Sequence, residues 1–250
     1  MRPKDYLARS RSPRYSLVFA LPLLLLYEGL SFALTGSAVE GVRNGADVML
    51  KSLFLALGGR DGLIVFNVLL FGVGGVLVWR DRRRCGEPWS GGVFGVMLAE
   101  SVVYAALFGL VVGWLTALVL AGPRALQVGA GAVTLPTQLV ISLGAGIYEE
   151  LMFRVLLVGG LLALLKGLLG WRAGPAAATA VLVSSLIFSG FHYVGSLGDA
   201  FTLPSFTFRA IAGVVFSVLY VQRGFGITAW THALYDLGLS LVQAAGNSSQ

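Results

Sequence analysis

The sequence predicts an all-α fold, a polytopic bundle of membrane-spanning helices. Of its 250 residues 56% are hydrophobic and only 12% are charged, whereas a soluble chain carries about 25% charged residues. Several apolar stretches exceed the roughly 18 residues that a helix needs to cross a bilayer. These stretches are continuous and do not alternate with polar residues, which excludes a closed β-barrel.

Seven spans are predicted, and counts of six to eight fit the same pattern. The apolar runs lie at about 16–34, 63–79, 92–121, 139–165, 176–193, 206–221 and 227–245. Basic residues gather at 1–15, 80–84, 166–172 and 223. These basic ends fall on one side if every span crosses once, as the positive-inside rule requires. We therefore expect a cytoplasmic N-terminus, an uncleaved first span and a C-terminus outside.

A segment at 39–57 predicts an amphipathic helix that lies on the membrane surface. Its charged residues recur at every third or fourth position and therefore share one helix face. They are Glu40, Arg43, Asp47 and Lys51. Three further charged residues lie within or at the end of spans: Glu28, Glu100 and Arg209. For Arg209 the alternatives are a side chain that reaches the interface, a partner for Glu100, or a clamp for a substrate carboxylate.

The stretch from Ile147 to Arg154 places three ionisable groups inside an apolar run. Each costs roughly 2.5–3.5 kcal/mol at the bilayer centre, so their presence needs a functional or structural reason. Glu150 and Arg154 stand four residues apart with the acid first, which favours an ion pair. Glu149 lies about 100° around the same helix. We therefore expect Glu150 to be paired with Arg154 and Glu149 to remain available for another role.

Both histidines of the chain lie in apolar spans, and His232 stands four residues before Asp236. Together with the two adjacent glutamates they predict one shared polar site. The predicted spans, however, place His192 near the outer end of its helix and His232 near the inner end of its own. A common site therefore requires other helix boundaries, a tilt, or a break near Gly224 and Gly226.

Such a set of residues has two chemical interpretations. A carboxylate in a dry pocket can act as a general base toward water, and histidine N–H groups can stabilise an oxyanion. A general base and oxyanion donors are the groups required to hydrolyse a peptide bond without a serine or cysteine nucleophile. The same residues could instead bind a metal, since two histidines and one glutamate hold zinc in thermolysin. The chain has no His-Glu-x-x-His motif.

Three motifs, in this order and in separate apolar helices, resemble those of the CAAX protease and bacteriocin-processing family, also called Abi, which contains intramembrane endopeptidases. They are Glu149-Glu150-x-x-x-Arg154, Phe188-x-x-x-His192 and His232-x-x-x-Asp236. The resemblance covers about residues 139–241. We expect a single integrated membrane domain, in which 1–135 hold the N-terminal spans and 136–245 hold the catalytic core.

The resemblance implies a role for each matching residue. Glu149 would be the general base that activates water, with His192 assisting, and His232 and Asp236 would stabilise the oxyanion. Many relatives have Asn at the last position, so Asp236 must be protonated, or act differently, to donate a hydrogen bond. Glu150 and Arg154 would support the site.

The resemblance leaves the type of protease open, because the family has been described both as metal-dependent and as glutamate-type. We favour the metal-free glutamate mechanism with no cofactor. Zinc, if present, would be held by the same four residues, Glu149, His192, His232 and Asp236.

We expect an intramembrane endopeptidase in a bacterial inner membrane, with a membrane-anchored peptide or protein as substrate. A C-terminal sorting tail or a bacteriocin-like peptide is favoured over a prenylated protein, because the composition suggests a GC-rich bacterial source. The alternatives are a proton- or ion-coupled transporter and a non-catalytic membrane scaffold. The absence of an inverted repeat argues against the transporter. The net charge of +6 reflects short basic loops and indicates no nucleic-acid partner.

Overall fold

The computed structural model describes residues 3–35, 41–120, 134–195 and 198–247, and within these ranges the chain forms helices and no strand. The predicted all-α fold is therefore confirmed. The helices are α1 Pro3–Arg11, α2 Pro13–Thr35, α3 Gly45–Cys85, α4 Gly91–Val119, α5 Leu135–Gly144, α6 Gly159–Ala163, α7 Ala173–Phe191, α8 Leu203–Arg223 and α9 Phe225–Asn247. Three π-helical segments accompany α5 and α6: π1 Ala145–Glu149, π2 Leu151–Val158 and π3 Leu164–Leu168.

Six helical stretches of the described chain are long and apolar enough to cross a membrane. They are Pro13–Leu34, Gly45–Cys85, Gly91–Val119, Leu135–Leu168, Ala173–Phe191 and Leu203–Arg223. They correspond to the first six predicted spans, and the chain is an integral membrane protein. The seventh predicted span forms α9, which has 23 residues but is too polar to belong to this set. It packs against α2, α4, α5 and α8, and its polar residues Thr228, Thr231 and His232 are buried.

The structure replaces the predicted surface helix and the second span by one element, α3, which is broken at Gly58 and Gly59. Gly59 has φ = 56°, a left-handed conformation that side chains rarely adopt. The segment before the break is amphipathic, but its orientation contradicts the prediction of a charged face in water. Its charged residues Asp47 and Lys51 are buried, whereas its apolar residues Val48 and Leu53 are exposed.

This inverted orientation has a physical reason, since apolar side chains can face lipid while charged groups must find partners inside the protein. Arg43 lies in the turn before α3 and is buried with Asp47, at 2.6 Å. Glu28 of α2, which the sequence left without a role, lies 2.9 Å from Lys51 and 3.2 Å from Arg43. Glu40 lies outside the described residues.

The other isolated charges are also paired. Arg223 forms a bidentate contact with Glu100, with nitrogen–oxygen distances of 2.6 and 2.8 Å, and Tyr6 donates a hydrogen bond to the same carboxylate. Burial, reinforced by this hydrogen bond, raises the pKa of Tyr6 above its ordinary value, so its hydroxyl remains a donor. Arg209 pairs with Asp199, and the alternative that made it the partner of Glu100 is therefore wrong.

Glycine allows α9 to approach the fourth span closely. A Cβ atom at Gly146 in π1 would lie 2.5 Å from the carbonyl oxygen of Ala229 and 2.7 Å from Cβ of Ala233. Both alanines are fully buried in α9. The backbone of π1 therefore touches α9 directly, three residues before Glu149 and one turn from His232.

Candidate active site

The predicted motif at 147–154 lies in π-helical backbone, which the sequence did not indicate. π1 ends at Glu149 and π2 begins at Leu151, so the two glutamates stand at the junction of two π-helical segments. In a π-helix each N–H donates to the carbonyl five residues earlier, one residue further back than in an α-helix. The N–H of Gly159, for example, donates to the carbonyl of Arg154. Such segments occur often at functional sites. The apolar pattern of the sequence did not predict them.

Glu150 and Arg154 form the predicted ion pair. Oε2 of Glu150 lies 3.2 Å from Nε of Arg154, and neither residue is exposed. The guanidinium lies between two aromatic rings, 4.5 Å from the centroid of Phe188 and 5.4 Å from that of Phe216. Cation–π contacts of this kind offset part of the cost of burying the charge. The pair therefore supports the motif from inside the bundle.

Glu150 has a second partner, His232, which the sequence did not identify. Oε1 of Glu150 lies 2.7 Å from Nδ1 of His232. The other ring nitrogen, Nε2, lies 3.4 Å from Oδ2 of Asp236, as the four-residue spacing predicted. The imidazole ring also stacks on Phe216, with centroids 4.3 Å apart. Two carboxylates and one aromatic ring thus determine the orientation of His232.

Glu149 lies next to both histidines. Its Oε2 atom is 4.0 Å from Nε2 of His192 and 4.0 Å from Nε2 of His232. Nδ1 of His192 lies 2.9 Å from the carbonyl oxygen of Phe188 and must carry the hydrogen of this bond, because a carbonyl only accepts. Nε2 of both rings therefore faces the same carboxylate oxygen. The four predicted site residues are gathered in one place.

The separation in depth that the predicted spans implied does not occur. His192 directly follows the last residue of α7, whereas His232 is the eighth residue of α9. At ~1.5 Å per residue they stand at different distances from the starts of their helices. The two helices therefore begin at different depths. A single residue, Gly224 with φ = 81°, connects α8 to α9.

Asn44 is a site contact that the sequence analysis missed. Its Nδ2 donates a 2.8 Å hydrogen bond to Oε1 of Glu149, and the residue is 3% exposed. The sequence offered one signal, because an asparagine before a helical pattern is a common N-cap. Asn44 does cap α3, but the contact with a glutamate 105 positions later could not be inferred from that signal.

The base of the site is buried, whereas two of its partners are partly exposed. Glu149 is buried, and its Oε2 has no hydrogen-bond partner within the described part of the chain. The side chains of His192 and Asp236 are 25% and 30% exposed. These two residues therefore form the exposed edge of the site.

The donor atoms are of the kind that zinc binds, and zinc, if bound, would be held by Glu149, His192, His232 and Asp236. In a tetrahedral site with zinc–ligand distances of ~2.0–2.1 Å, two ligand atoms lie ~3.3 Å apart. Both imidazole nitrogens are 4.0 Å from Glu149 Oε2, and the described His, Cys, Asp and Glu residues form no group of three that could hold a metal ion. Zinc binding at tetrahedral distances would therefore require these side chains to move closer together.

Comparison with known proteins identifies one family. Residues 131–238 match the family described as type II CAAX prenyl endopeptidase Rce1-like. This segment contains all three motifs, and the match confirms the resemblance found in the sequence. No curated protein and no solved structure matches the chain.

Proposed function

We propose, because residues 131–238 match the type II CAAX prenyl endopeptidase Rce1-like family, that this protein is an intramembrane endopeptidase of the glutamate type. It hydrolyses a peptide bond of a membrane-associated protein or peptide. The observation that carries the proposal is the position of Glu149, whose Oε2 faces Nε2 of two histidines and has no hydrogen-bond partner among the described residues. Residues 136–245 would form the catalytic core, and 1–135 would add the N-terminal spans.

Glu149 is the general base in this mechanism. Its Oε2 takes a proton from a water molecule, whose oxygen attacks the carbonyl carbon of the scissile bond. His192 accepts a hydrogen bond from the same water through Nε2, because its Nδ1 hydrogen is engaged by a backbone carbonyl. When the tetrahedral intermediate collapses, the carbon–nitrogen bond breaks. The protonated Glu149 then delivers its proton to the leaving amine.

His232 and Asp236 stabilise the negative oxygen of the intermediate. Nδ1 of His232 donates to Glu150, so Nε2 can donate to the oxyanion when the ring carries both protons. The carboxylate of Glu150 beside the ring stabilises that cation. Asp236 adds a donor when it is protonated, the form that corresponds to the asparagine of many relatives.

The substrate is the least specified part of the proposal. We favour a membrane-anchored peptide or protein, with a C-terminal sorting tail or a bacteriocin-like peptide ahead of a prenylated C-terminus. The enzyme would lie in a bacterial inner membrane with its N-terminus in the cytoplasm, which the basic ends of the spans support.

The test compares wild type with Glu149→Gln in detergent or liposomes. The probes are a peptide with an apolar C-terminal tail, a bacteriocin-like peptide and a farnesylated peptide ending in a CAAX sequence, and cleavage is followed by mass spectrometry. Asp61→Asn makes the same carboxylate-to-amide change at an exposed position and serves as the matched control. We expect Glu149→Gln to lose cleavage at least 100-fold and Asp61→Asn to retain it.

A zinc chelator distinguishes the two types of protease. Activity that survives exhaustive chelation supports the glutamate mechanism. Activity that is lost on chelation and restored by zinc would show a metal enzyme instead. Full activity of Glu149→Gln, or ion flux across vesicles without cleavage of any probe by wild type, would overturn the proposal.

A further inference from the structure

The N-terminal part of the chain contributes a contact to the candidate active site from outside the residues that match the family. Asn44 immediately precedes α3, and its side-chain amide donates to Oε1 of Glu149 across 2.8 Å. The amide has no route to solvent, since Asn44 is 3% exposed. The oxygen that it binds is the one that does not face the histidines. The contact therefore determines which Glu149 oxygen remains for chemistry.

The orientation of this amide is determined by its neighbours. Oδ1 of Asn44 accepts a 2.9 Å hydrogen bond from the backbone N–H of Ala46. The amide nitrogen must therefore be the group that faces Glu149, because an amide flip would place two acceptors together there and a donor against the N–H. The backbone N–H of Asn44 also donates to the hydroxyl of Tyr27, at 3.1 Å. Hydrogen bonds therefore hold both the side chain and the backbone of Asn44.

A cluster of charged side chains lies behind Asn44, and we define this charge cluster as Glu28, Arg43, Asp47 and Lys51. Its two acids and two bases lie 2.6–3.2 Å apart in four ion pairs. The hydroxyl of Tyr27, which accepts from Asn44, donates to Asp47 at 2.7 Å. The charge cluster therefore connects directly to Asn44.

The same cluster also contacts the fourth span. The hydroxyl of Tyr148 donates to Oε1 of Glu28 at 2.5 Å, and Tyr148 immediately precedes Glu149 in π1. The side chain of Glu149 is therefore held through Asn44, and its backbone neighbour is held through Glu28. Both contacts come from α2 and the start of α3.

We propose that Asn44 is a positioning residue for Glu149, supplied by the N-terminal spans. By binding Oε1 it keeps Oε2 directed toward the two histidines and the attacking water. Without it, the carboxylate can rotate and present either oxygen in unproductive orientations. This inference rests on the proposed function, because it assigns Glu149 to the general base. It adds a requirement that the family-matched segment cannot meet alone.

The experiment separates the two contacts of the Asn44 side chain. Asn44→Ser keeps an oxygen that can cap α3 but has no amide that reaches Glu149. Asn44→Ala loses both contacts. Asn67→Ser makes the same change at an exposed position of α3 and serves as the control. Each variant is purified as the full chain, its thermal midpoint is measured, and kcat and KM are determined with the probe that wild type cleaves best.

We expect kcat to fall about 10- to 100-fold in both Asn44 variants, because a misplacement of the order of 1 Å costs about 100-fold in rate. KM should stay within about twofold of wild type, since the substrate is not contacted. The thermal midpoint should fall in Asn44→Ala and stay near that of wild type in Asn44→Ser. Asn67→Ser should match wild type in all three quantities.

Two results would overturn the inference. Wild-type kcat in Asn44→Ser would show that Asn44 only caps α3. A raised KM with unchanged kcat would make it a substrate contact instead. Glu149→Gln in the same assay separates this inference from the proposed function. If Glu149→Gln cleaves normally, the proposed function fails. If it is inactive while Asn44→Ser is fully active, only the role of Asn44 fails.

Discussion

His232 donates its Nδ1 hydrogen to Oε1 of Glu150 across 2.7 Å. The carboxylate must be the acceptor because its other oxygen lies 3.2 Å from the guanidinium of Arg154. Glu150 thus belongs to two motifs at once, since it pairs with the arginine of its own helix and orients the histidine of α9. Both the stability of the fold and the orientation of His232 therefore depend on the carboxylate of Glu150. Substitutions can separate these two effects.

The first prediction concerns Glu150→Gln. This change leaves Arg154 buried without a counter-charge, and breaking a buried pair costs about 3–5 kcal/mol. We expect a clear fall in the thermal midpoint in detergent, together with lower kcat because His232 loses its charged acceptor. The measurements are thermal unfolding and cleavage kinetics.

A double variant provides the control for that experiment. Replacing both charges, Glu150→Leu with Arg154→Leu, removes the unpaired guanidinium and should return the thermal midpoint to near the wild-type value. Cleavage should be low, because leucine at position 150 offers no acceptor to Nδ1 of His232. Recovered cleavage in the double variant would contradict the role of Glu150 in orienting His232.

The second prediction concerns Asp236→Asn. In the proposed mechanism this position donates a hydrogen bond to the oxyanion, and an amide donates at every pH whereas a carboxyl donates only when protonated. We expect kcat within about threefold of wild type near neutral pH and a wider active range on the alkaline side. Asp236→Leu, which is similar in size and has no donor, should be at least 10-fold slower.

The comparison of pH–rate profiles for wild type and Asp236→Asn checks this prediction. An inactive Asp236→Asn would show that the negative charge beside Nε2 of His232 is needed, at the observed 3.4 Å. Asp236 would then orient or charge the ring, and the oxyanion would depend on His232 alone.

The third prediction concerns the contact between π1 and α9. Gly146→Ala places a methyl group 2.5 Å from the carbonyl oxygen of Ala229. This oxygen belongs to the backbone, so it can move away only if the helix itself shifts. Overpacking of this kind typically costs about 1–3 kcal/mol. It also displaces His232 from Glu149. We expect a lower thermal midpoint and at least 10-fold lower kcat.

Gly159→Ala is the matched control, because a Cβ at that position of α6 meets no atom within 4 Å. It should leave cleavage unchanged and leave stability equal or up to about 1 kcal/mol higher, the usual gain in a helix interior. Wild-type cleavage by Gly146→Ala would show that the histidine and the glutamate need no close approach of the two helices.

The fourth prediction concerns Glu100, which pairs with Arg223 away from the candidate site. Glu100→Gln should lower the thermal midpoint, because the buried guanidinium and the hydroxyl of Tyr6 both lose a charged acceptor. The kcat of the folded fraction should match wild type. A fall in kcat at unchanged stability would show that this pair also affects the site.

Much of the candidate site could be predicted from the sequence, for a simple physical reason. An ionisable residue in an apolar run is costly in lipid, so Glu149, Glu150, His192 and His232 stand out against their neighbours. The spacing of Glu150 and Arg154 predicted their pair, because residues four apart share a helix face. The number and positions of the first six spans followed from the lengths of apolar runs alone.

Other features depended on contacts between distant elements. The orientation of the charged face of α3 could not be read from its periodicity, because an amphipathic pattern shows that two faces differ and not which one meets the protein. The second partner of Glu150 is on α9, 82 positions away, and the amide that holds Glu149 comes from 105 positions earlier. The π-helical backbone around the two glutamates could not be predicted from the order of apolar and polar residues.

The sequence by itself determined that the chain is an α-helical membrane protein and which ionisable side chains must be sheltered inside it. The cost of charge in lipid depends on residue type and local hydrophobicity, and both are visible in a linear sequence. Only the tertiary structure decided which sheltered groups meet. Partner choice depends on the depth at which each helix starts and on close approaches such as that of Gly146 to α9, which arise from packing of the whole bundle.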